Sequence, residues 1–164
     1  MTLQDWGALG ELVGGLAIIV SLLYVGLQIR HGTNATRAAT NQAFVTQYNE
    51  LLLTLTRTEI RDIYWRGLPG LANLQGSEMA GFSGFMAAVF RTYEAFYLEK
   101  EEGRFDTKMW QGYTALFADL LSHEGPPEYW EMRKHQYSDE FAAVVDIDFL
   151  RRDRNSFYPQ HMGK

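Results

Sequence analysis

Cysteine is absent from this sequence of 164 residues. Its absence excludes disulfide bonds, thiolate-ligated metal sites and a cysteine nucleophile, and it fits a reducing compartment. None of the four histidines has a glutamate three residues before it, as each half of a carboxylate-bridged di-metal bundle requires. Glu131 and His135 lie one helical turn apart, which we interpret as a helix-surface contact. The composition therefore predicts no metal site.

A surplus of basic residues and the signatures of catalysis are lacking as well. The net charge is −5, whereas phosphate binding needs a basic surface, so we predict no nucleic-acid partner. No Gly-x-Ser-x-Gly elbow occurs, and the glycine-rich residues 10–15 lack the lysine of a phosphate-binding loop. A Ser–His–Asp arrangement of dispersed residues stays open. We predict neither an enzyme nor a bound cofactor.

The clearest feature present is a long apolar run near the N-terminus. From Trp6 to Ile29 the only charged residue is Glu11. A helix of this length rises roughly 36 Å, enough to cross a hydrocarbon core of about 30 Å. A signal peptide would need a basic segment before the run, and none is present. A buried core helix is the other alternative. The run predicts a transmembrane anchor over residues 1–31.

Small residues recur along one side of this predicted helix. Bulky aliphatic residues fall on the opposite side at about 100° per residue. Lipid is as apolar as leucine, so helices in a bilayer associate best where small residues let their backbones approach closely. The spacing therefore predicts a helix–helix contact formed by Gly7, Gly10, Gly14, Ala17 and Ser21.

Three polar residues of the run allow another interpretation. A carboxylate inside a membrane usually faces protein or water, and Glu11 lies at the edge of the small-residue side. Several copies of the helix could then surround a pore lined by Glu11, Ser21 and Gln28. Alternatively, Glu11 lies close enough to the interface to reach water.

The charges that flank the run indicate an orientation. No lysine or arginine precedes it, whereas Arg30 and Arg37 follow it. The positive-inside rule then places the N-terminus outside and the remainder in the cytoplasm. We expect a single-pass protein of the inner membrane.

The remainder reads as an all-α bundle over residues 32–150, followed by a polar tail over 151–164. Residues 31–34 predict a break, with Thr33 or Asn34 capping the next helix. The alternative is that Gly32 does not break the helix and the membrane helix continues into the next one as a stalk. Apolar residues at spacings of three and four then predict helices over residues 35–57, 58–66, 77–103, 106–121, 129–136 and 139–149.

Individual residues refine this pattern. Thr58, Asp106 and Ser138 are predicted N-caps, and Gly103 is a predicted C-terminal cap. The third of these helices should bury its aromatic face, while Arg91 and Glu94 are expected on its polar side. The clustered aromatic side chains suit a filled core better than a lipid or cofactor pocket.

Four segments also resemble a known family of small, uncharacterised membrane-anchored proteins from proteobacteria. They are the opening WGALGELVGG at residues 6–15, the QIR at residues 28–30 with Asn34 and Arg37 after it, Tyr129-Trp130, and the SDEF at residues 138–141. The resemblance implies a bacterial origin and an anchor followed by a helical domain, and it assigns no activity.

These observations favour a structural role. We expect a membrane protein that contacts lipid, forms homo-oligomers and serves as a scaffold or as an accessory subunit of a larger membrane complex. A homo-oligomeric ion channel is the alternative. The number of copies separates the two, since a dimer encloses no pore.

Overall fold

A computed structural model describes the backbone of residues 3–150, and the surroundings of side chains at residue 7 and residues 14–150. Within this part every element is helical and no strand occurs, which confirms the all-α prediction. One long apolar helix comes first and a helical domain follows it. The predicted polar tail lies outside the described residues.

The first helix, α1 (Leu3–Thr54), continues through the segment where we predicted a break. The Thr33 hydroxyl donates to the Ile29 carbonyl at 3.0 Å, and the Thr36 hydroxyl donates to the Gly32 carbonyl at 3.0 Å. Thr33 is therefore bonded inside the helix and caps nothing. A glycine inside a helix costs only about 1 kcal/mol relative to alanine, too little to interrupt a helix already propagating on both sides.

The chain divides into two compact units after Ala39, so α1 contributes residues 3–39 to the first and residues 40–54 to the second. Our domain bounds of 1–31 and 32–150 stay predictions. Five more helices follow in the second unit: α2 (Thr58–Gly67), α3 (Ser77–Glu101), α4 (Thr107–Leu121), α5 (Gly125–Arg133) and α6 (Asp139–Val144). Short 3-10 turns occupy Leu71–Asn73 and Lys134–Gln136, and π-helical winding continues α6 over Val145–Leu150.

The helix ends test the predicted caps. The Asp106 carboxylate accepts hydrogen bonds from the backbone N–H groups of Lys108 and Met109 at 2.8 and 3.1 Å, which confirms it as the N-cap of α4. Gly103 follows α3 with a φ of 68°, the left-handed conformation that a C-terminal glycine supplies. The prediction for Thr58 is wrong, because Arg57 precedes α2 and Thr58 is its first residue.

Two further polar residues differ from expectation: Ser138 occupies the predicted N-cap position of α6 without a side-chain capping bond, and Glu94 is not on the polar side of α3. The backbone N–H of Ser138 instead donates to Glu94 Oε1 at 2.7 Å. Glu94 also accepts from Arg91 at 2.7 Å and is buried rather than on the polar side of α3. A carboxylate can be buried here because both of its oxygens have partners.

The start of α5 also differs from expectation. We predicted a helix over residues 129–136, but α5 begins at Gly125 and has both prolines in its first turn. Proline is tolerated there because the first N–H groups of a helix have no partner inside it. The helix ends at Arg133, and residues 134–136 tighten into a 3-10 turn.

The second unit has an aromatic core. Trp130 is fully buried, stacks on Phe90 at a centroid distance of 5.0 Å and lies edge-on to Phe141 at 5.9 Å. A smaller cluster joins α1 to α3. The ring of Phe44 lies edge-on to the rings of Phe96 and Phe105, at centroid distances of 3.7 and 5.1 Å. The aromatic face of α3 is thus buried, as its spacing predicted.

Candidate functional site

The small residues of α1 present an open surface. A side-chain carbon added at Gly7 or Gly14 would meet no atom within 4 Å, and Ala17 and Ser21 are exposed. Because α1 is helical throughout, Gly7, Gly14 and Ser21 fall within about 40° of one another around its axis. Gly10 also lies in α1, but its surroundings are outside the described part. The described members of the predicted contact therefore share one side of the helix.

The three predicted pore residues differ in what the structure describes. The Ser21 hydroxyl donates to the Ala17 carbonyl at 2.8 Å, so its proton is already bonded within the helix. A serine bonded in this way is tolerated against lipid or another helix as well as against water. Gln28 is exposed, and the Glu11 side chain lies outside the described residues. The pore stays a hypothesis.

The second unit contains a pocket that the sequence did not reveal. It has a volume of about 390 Å³ and lies among α1, α2, α3 and α4. We call it the Asp119 pocket. Aliphatic and aromatic side chains form most of its wall, and its polar members are Asp119 and His123. The lining residues are Tyr48, Leu51, Leu52, Leu55, Tyr64, Phe85, Val89, Tyr93, Leu116, Asp119, Leu120 and His123.

Asp119 is the unusual member of this wall. Its Oδ1 atom is buried and has no hydrogen-bond partner among the described residues. Burial raises the pKa of the Asp119 carboxyl above its ordinary value, and the neighbouring His123 partly opposes that shift. The folded chain therefore binds this proton more tightly than the unfolded chain, so ionisation of Asp119 lowers stability as the pH rises above 3.8.

The neighbouring tyrosines act as neutral walls. The Tyr93 hydroxyl donates to the Tyr113 carbonyl at 2.9 Å, and burial raises the pKa of Tyr93 far above its ordinary value. Tyr93 therefore remains protonated at any physiological pH. Tyr64 meets Phe85 edge-on at a centroid distance of 5.6 Å. The pocket thus has fixed aromatic walls, while Asp119 Oδ1 is buried and not exposed to the cavity.

A larger groove of about 610 Å³ lies between α3, α4 and the residues after α6. Tyr97, Trp110 and Asp148 line it, together with Lys100 and Glu101, which pair with each other at 2.5 Å. Among the described residues, no buried side-chain polar atom in this groove lacks a partner. The groove therefore lacks the feature that distinguishes the Asp119 pocket.

Comparison with known proteins identifies no relative of this chain. A scan against protein-family models finds no match, and searches of the curated proteins and of the solved structures also return none.

Metal chemistry has little support in the described part. Over those residues no group of three or more histidine, aspartate or glutamate side chains lies close enough to hold an ion. Glu131 is paired with Lys134 at 2.9 Å, and His135 lies in the 3-10 turn after α5. The two residues therefore do not share one regular helix face.

A signal for the Asp119 pocket was nevertheless present in the sequence. Asp119 lies in α4 beside Leu116 and Leu120, and His123 follows two residues after the helix ends. A titratable pair beside an inward-facing aliphatic stripe indicates a polar group close to the core. What the sequence could not show is that α1 and α2 leave open space in front of that pair.

Proposed function

We propose that this chain is a single-pass inner-membrane protein that associates with copies of itself through the small residues of α1. Its helical domain then acts as a scaffold or accessory subunit of a larger membrane assembly. The resemblance to proteobacterial membrane-anchored proteins supports the same architecture. The observation that carries the proposal is the exposure of large apolar side chains around most of α1.

These side chains lie around most of the helix, apart from the side that carries the small residues. Leu16, Ile19 and Leu23 lie on one side and Leu22 and Val25 on others, and the exposed fractions of these five run from 48% to 67%. Covering each such side chain is worth about 1.5–3 kcal/mol. A helix that is apolar all round belongs in a core or a bilayer. Within the described residues, α1 contains the one stretch long and apolar enough to cross a membrane.

The membrane proposal makes its first prediction for charges in the span. Ile19→Arg/Leu23→Arg should release the full-length chain from the membrane fraction in a carbonate wash, whereas the unaltered chain should stay bound. Each arginine at the centre of a span costs about 2.5–3.5 kcal/mol. Leu53→Arg is the matched control, because Leu53 is equally exposed but lies in the second unit. Equal retention of the three proteins would contradict the anchor.

The orientation of the chain in the membrane can be tested with the same membrane preparations. Arg30 and Arg37 follow the span and no basic residue precedes it, so we propose that the domain faces the cytoplasm. Protease added to inverted vesicles should digest the domain, and protease added to intact spheroplasts should spare it. The reverse pattern would place the domain outside.

Self-association through α1 predicts a difference between two single substitutions. Gly14→Leu should weaken the oligomer at least about tenfold, equivalent to about 1.4 kcal/mol, because a bulky side chain separates the two backbones. The side chain meets nothing within the protomer, so any loss reflects a partner. Leu16→Ala, on the opposite side, should leave the dissociation constant nearly unchanged in detergent sizing.

The same measurement separates a scaffold from a pore. Similar behaviour of Gly14→Leu and Leu16→Ala would show that the small residues form no contact. An oligomer of four or more copies that conducts ions in liposomes, with a conductance changed by Glu11→Gln, would replace the scaffold by the channel. A dimer without conductance supports the scaffold.

A further inference from the structure

We propose that the groove between α3, α4 and the residues after α6 binds a small quaternary ammonium ion. We call it the Tyr97 groove. Its aromatic rings contact the cation, and the carboxylates around Tyr97 supply the opposite charge. This site goes beyond the proposed self-association of α1 and uses none of the small residues of that helix, so the two proposals can fail independently.

The open space of the Tyr97 groove follows from the side chains of α4. Ala115 and Ala118 line the groove and are exposed, whereas the larger Phe117 and Leu121 of the same helix are buried in the core. Small side chains on the outer side of α4 leave a volume of about 610 Å³ between the helix and its neighbours. A volume of this size falls in the range of small-molecule sites.

Three aromatic side chains from three parts of the fold line this space. They are Tyr97 of α3, Trp110 of α4 and Phe149 of the segment after α6. Each is half-buried, so part of its surface is open to a ligand. The rings of Tyr97 and Trp110 have centroids 6.4 Å apart and planes inclined by 45°, so they are splayed rather than stacked. The face of an aromatic ring attracts a cation within about 6 Å of its centroid, and tryptophan attracts it most strongly.

The charges around Tyr97 are mostly negative. Burial raises the pKa of Tyr97 above its ordinary value, and the carboxylates of Glu101, Glu140 and Asp148 raise it further. One lysine, Lys100, opposes them. Asp148 lines the groove and is exposed, and none of the ion pairs between described residues involves it. A cation in the groove can therefore approach an accessible carboxylate that has no competing ion pair.

A quaternary ammonium ion suits these features better than other ions do. An anion would be repelled by the carboxylates. A metal ion needs several oxygen or nitrogen ligands, and over the described residues no group of three or more such side chains lies close enough to hold one. A primary ammonium ion needs acceptors for three N–H groups, but Glu101 is already paired with Lys100. A quaternary ion has no N–H group, so aromatic faces and an opposite charge are sufficient.

Choline chloride is the probe, and 3,3-dimethyl-1-butanol, in which carbon replaces the charged nitrogen, is its neutral isostere. Binding to the full-length chain in maltoside micelles is followed by saturation-transfer NMR of the methyl protons that both molecules have, with protein-free micelles as the blank. We expect saturable binding of choline, and binding of the isostere at least about tenfold weaker, because the isostere has no charge for the rings and carboxylates to attract.

Two pairs of variants locate the site. Ala118→Phe should fill the groove and weaken choline binding at least about tenfold, whereas Ala95→Phe is the matched control, because Ala95 is also exposed but lies on α3 outside the groove. Asp148→Asn should weaken binding roughly two- to fivefold, the range for an exposed charge. Asp62→Asn is its control, since Asp62 is exposed on α2 and outside the groove. Both altered groove residues are exposed, so we expect all four variants to fold.

Several results would overturn the proposal. Equal affinity for choline and its isostere would remove the role of the charge. Unchanged choline binding to Ala118→Phe would place the site elsewhere, and unchanged binding to Asp148→Asn would remove the role of this carboxylate. Phosphatidylcholine added to the micelles separates two sources of the cation. Its competition with choline indicates a lipid headgroup, and lack of competition indicates a free ion; each result supports the proposal once saturable binding in the groove is seen.

Discussion

Replacing Trp130 by alanine should lower the free energy of unfolding of the helical domain by roughly 3–5 kcal/mol, the range found for large aromatic residues in a closed core. Trp130 is fully buried and lies against Phe90, Tyr137 and Phe141 at centroid distances of 5.0, 5.1 and 5.9 Å. Removal of its ring leaves a cavity that three aromatic neighbours cannot fill without leaving their own contacts. Many domains have only 5–15 kcal/mol of stability in total, so this one substitution should bring the domain close to unfolding.

Two further variants divide this effect into parts. Trp130 Nε1 donates to Asp146 Oδ1 at 2.7 Å. Trp130→Phe keeps most of the apolar contact and loses that hydrogen bond, and we expect a cost of about 1–3 kcal/mol. Trp65→Ala is the matched control, because Trp65 is 60% exposed and surface substitutions usually change stability by about 0.5 kcal/mol or less. Urea unfolding of the full-length proteins in micelles, followed by circular dichroism, measures all three.

Equal losses for Trp130→Ala and Trp65→Ala would contradict the aromatic core as described. Equal losses for Trp130→Phe and Trp130→Ala would show that the lost hydrogen bond to Asp146, rather than the cavity, dominates. Lys134 lies 3.4 Å from Asp146 and remains in the phenylalanine variant, so this second outcome is not expected.

Much of this core could be predicted from spacing alone. Apolar residues at intervals of three and four located α3 and α4, and the aromatic face predicted for α3 contains the buried Phe82, Met86 and Phe90. The Asp106 cap was also predictable, because a capping aspartate bonds to residues immediately after it in sequence. Such features depend on neighbours within one or two turns, and the sequence contains those neighbours in order.

The features that sequence analysis missed depend on residues far apart in the chain. Glu94 is buried because the backbone N–H of Ser138 comes to it from another helix. The Asp119 pocket exists because α1 and α2 stand apart in front of α4. The continuity of α1 through Gly32 was only the alternative prediction, for a local reason. Glycine is read as a break, yet its small penalty is outweighed by propagation of the helix around it.

The contact between Gly67 and Gly125 is the most consequential of these long-range features. Gly67 ends α2 and Gly125 begins α5, and the Gly125 N–H donates to the Leu68 carbonyl at 2.9 Å. A side-chain carbon built at Gly125 would overlap the Gly67 carbonyl oxygen and lie 3.3 Å from the Leu68 carbonyl oxygen. The ends of the two helices can therefore meet only where the side chain at position 125 is a hydrogen atom.

Gly125→Ala should accordingly destabilise the domain by at least about 2 kcal/mol, since overpacking against a rigid neighbour costs about 1–3 kcal/mol and the bond to Leu68 is strained as well. The obstacle is backbone, which cannot rotate aside. Gly67→Ala should also destabilise the domain, because its added carbon would overlap the ring of Phe82, which is fully buried in the core. Both effects are read from the urea midpoint of the full-length protein, with the slope of the transition unchanged.

The same glycine-to-alanine change at other helical positions should have the opposite effect on stability. Gly84 lies within α3 and Gly112 within α4, and an added carbon at either meets no atom within 4 Å. Alanine at these two positions should therefore stabilise the domain by about 0.5–1 kcal/mol, the usual gain from replacing glycine inside a helix. The same chemical change thus raises stability at positions 84 and 112 and lowers it at position 125. If Gly125→Ala instead shifts the midpoint upward with the other two, α2 and α5 do not approach each other through these glycines.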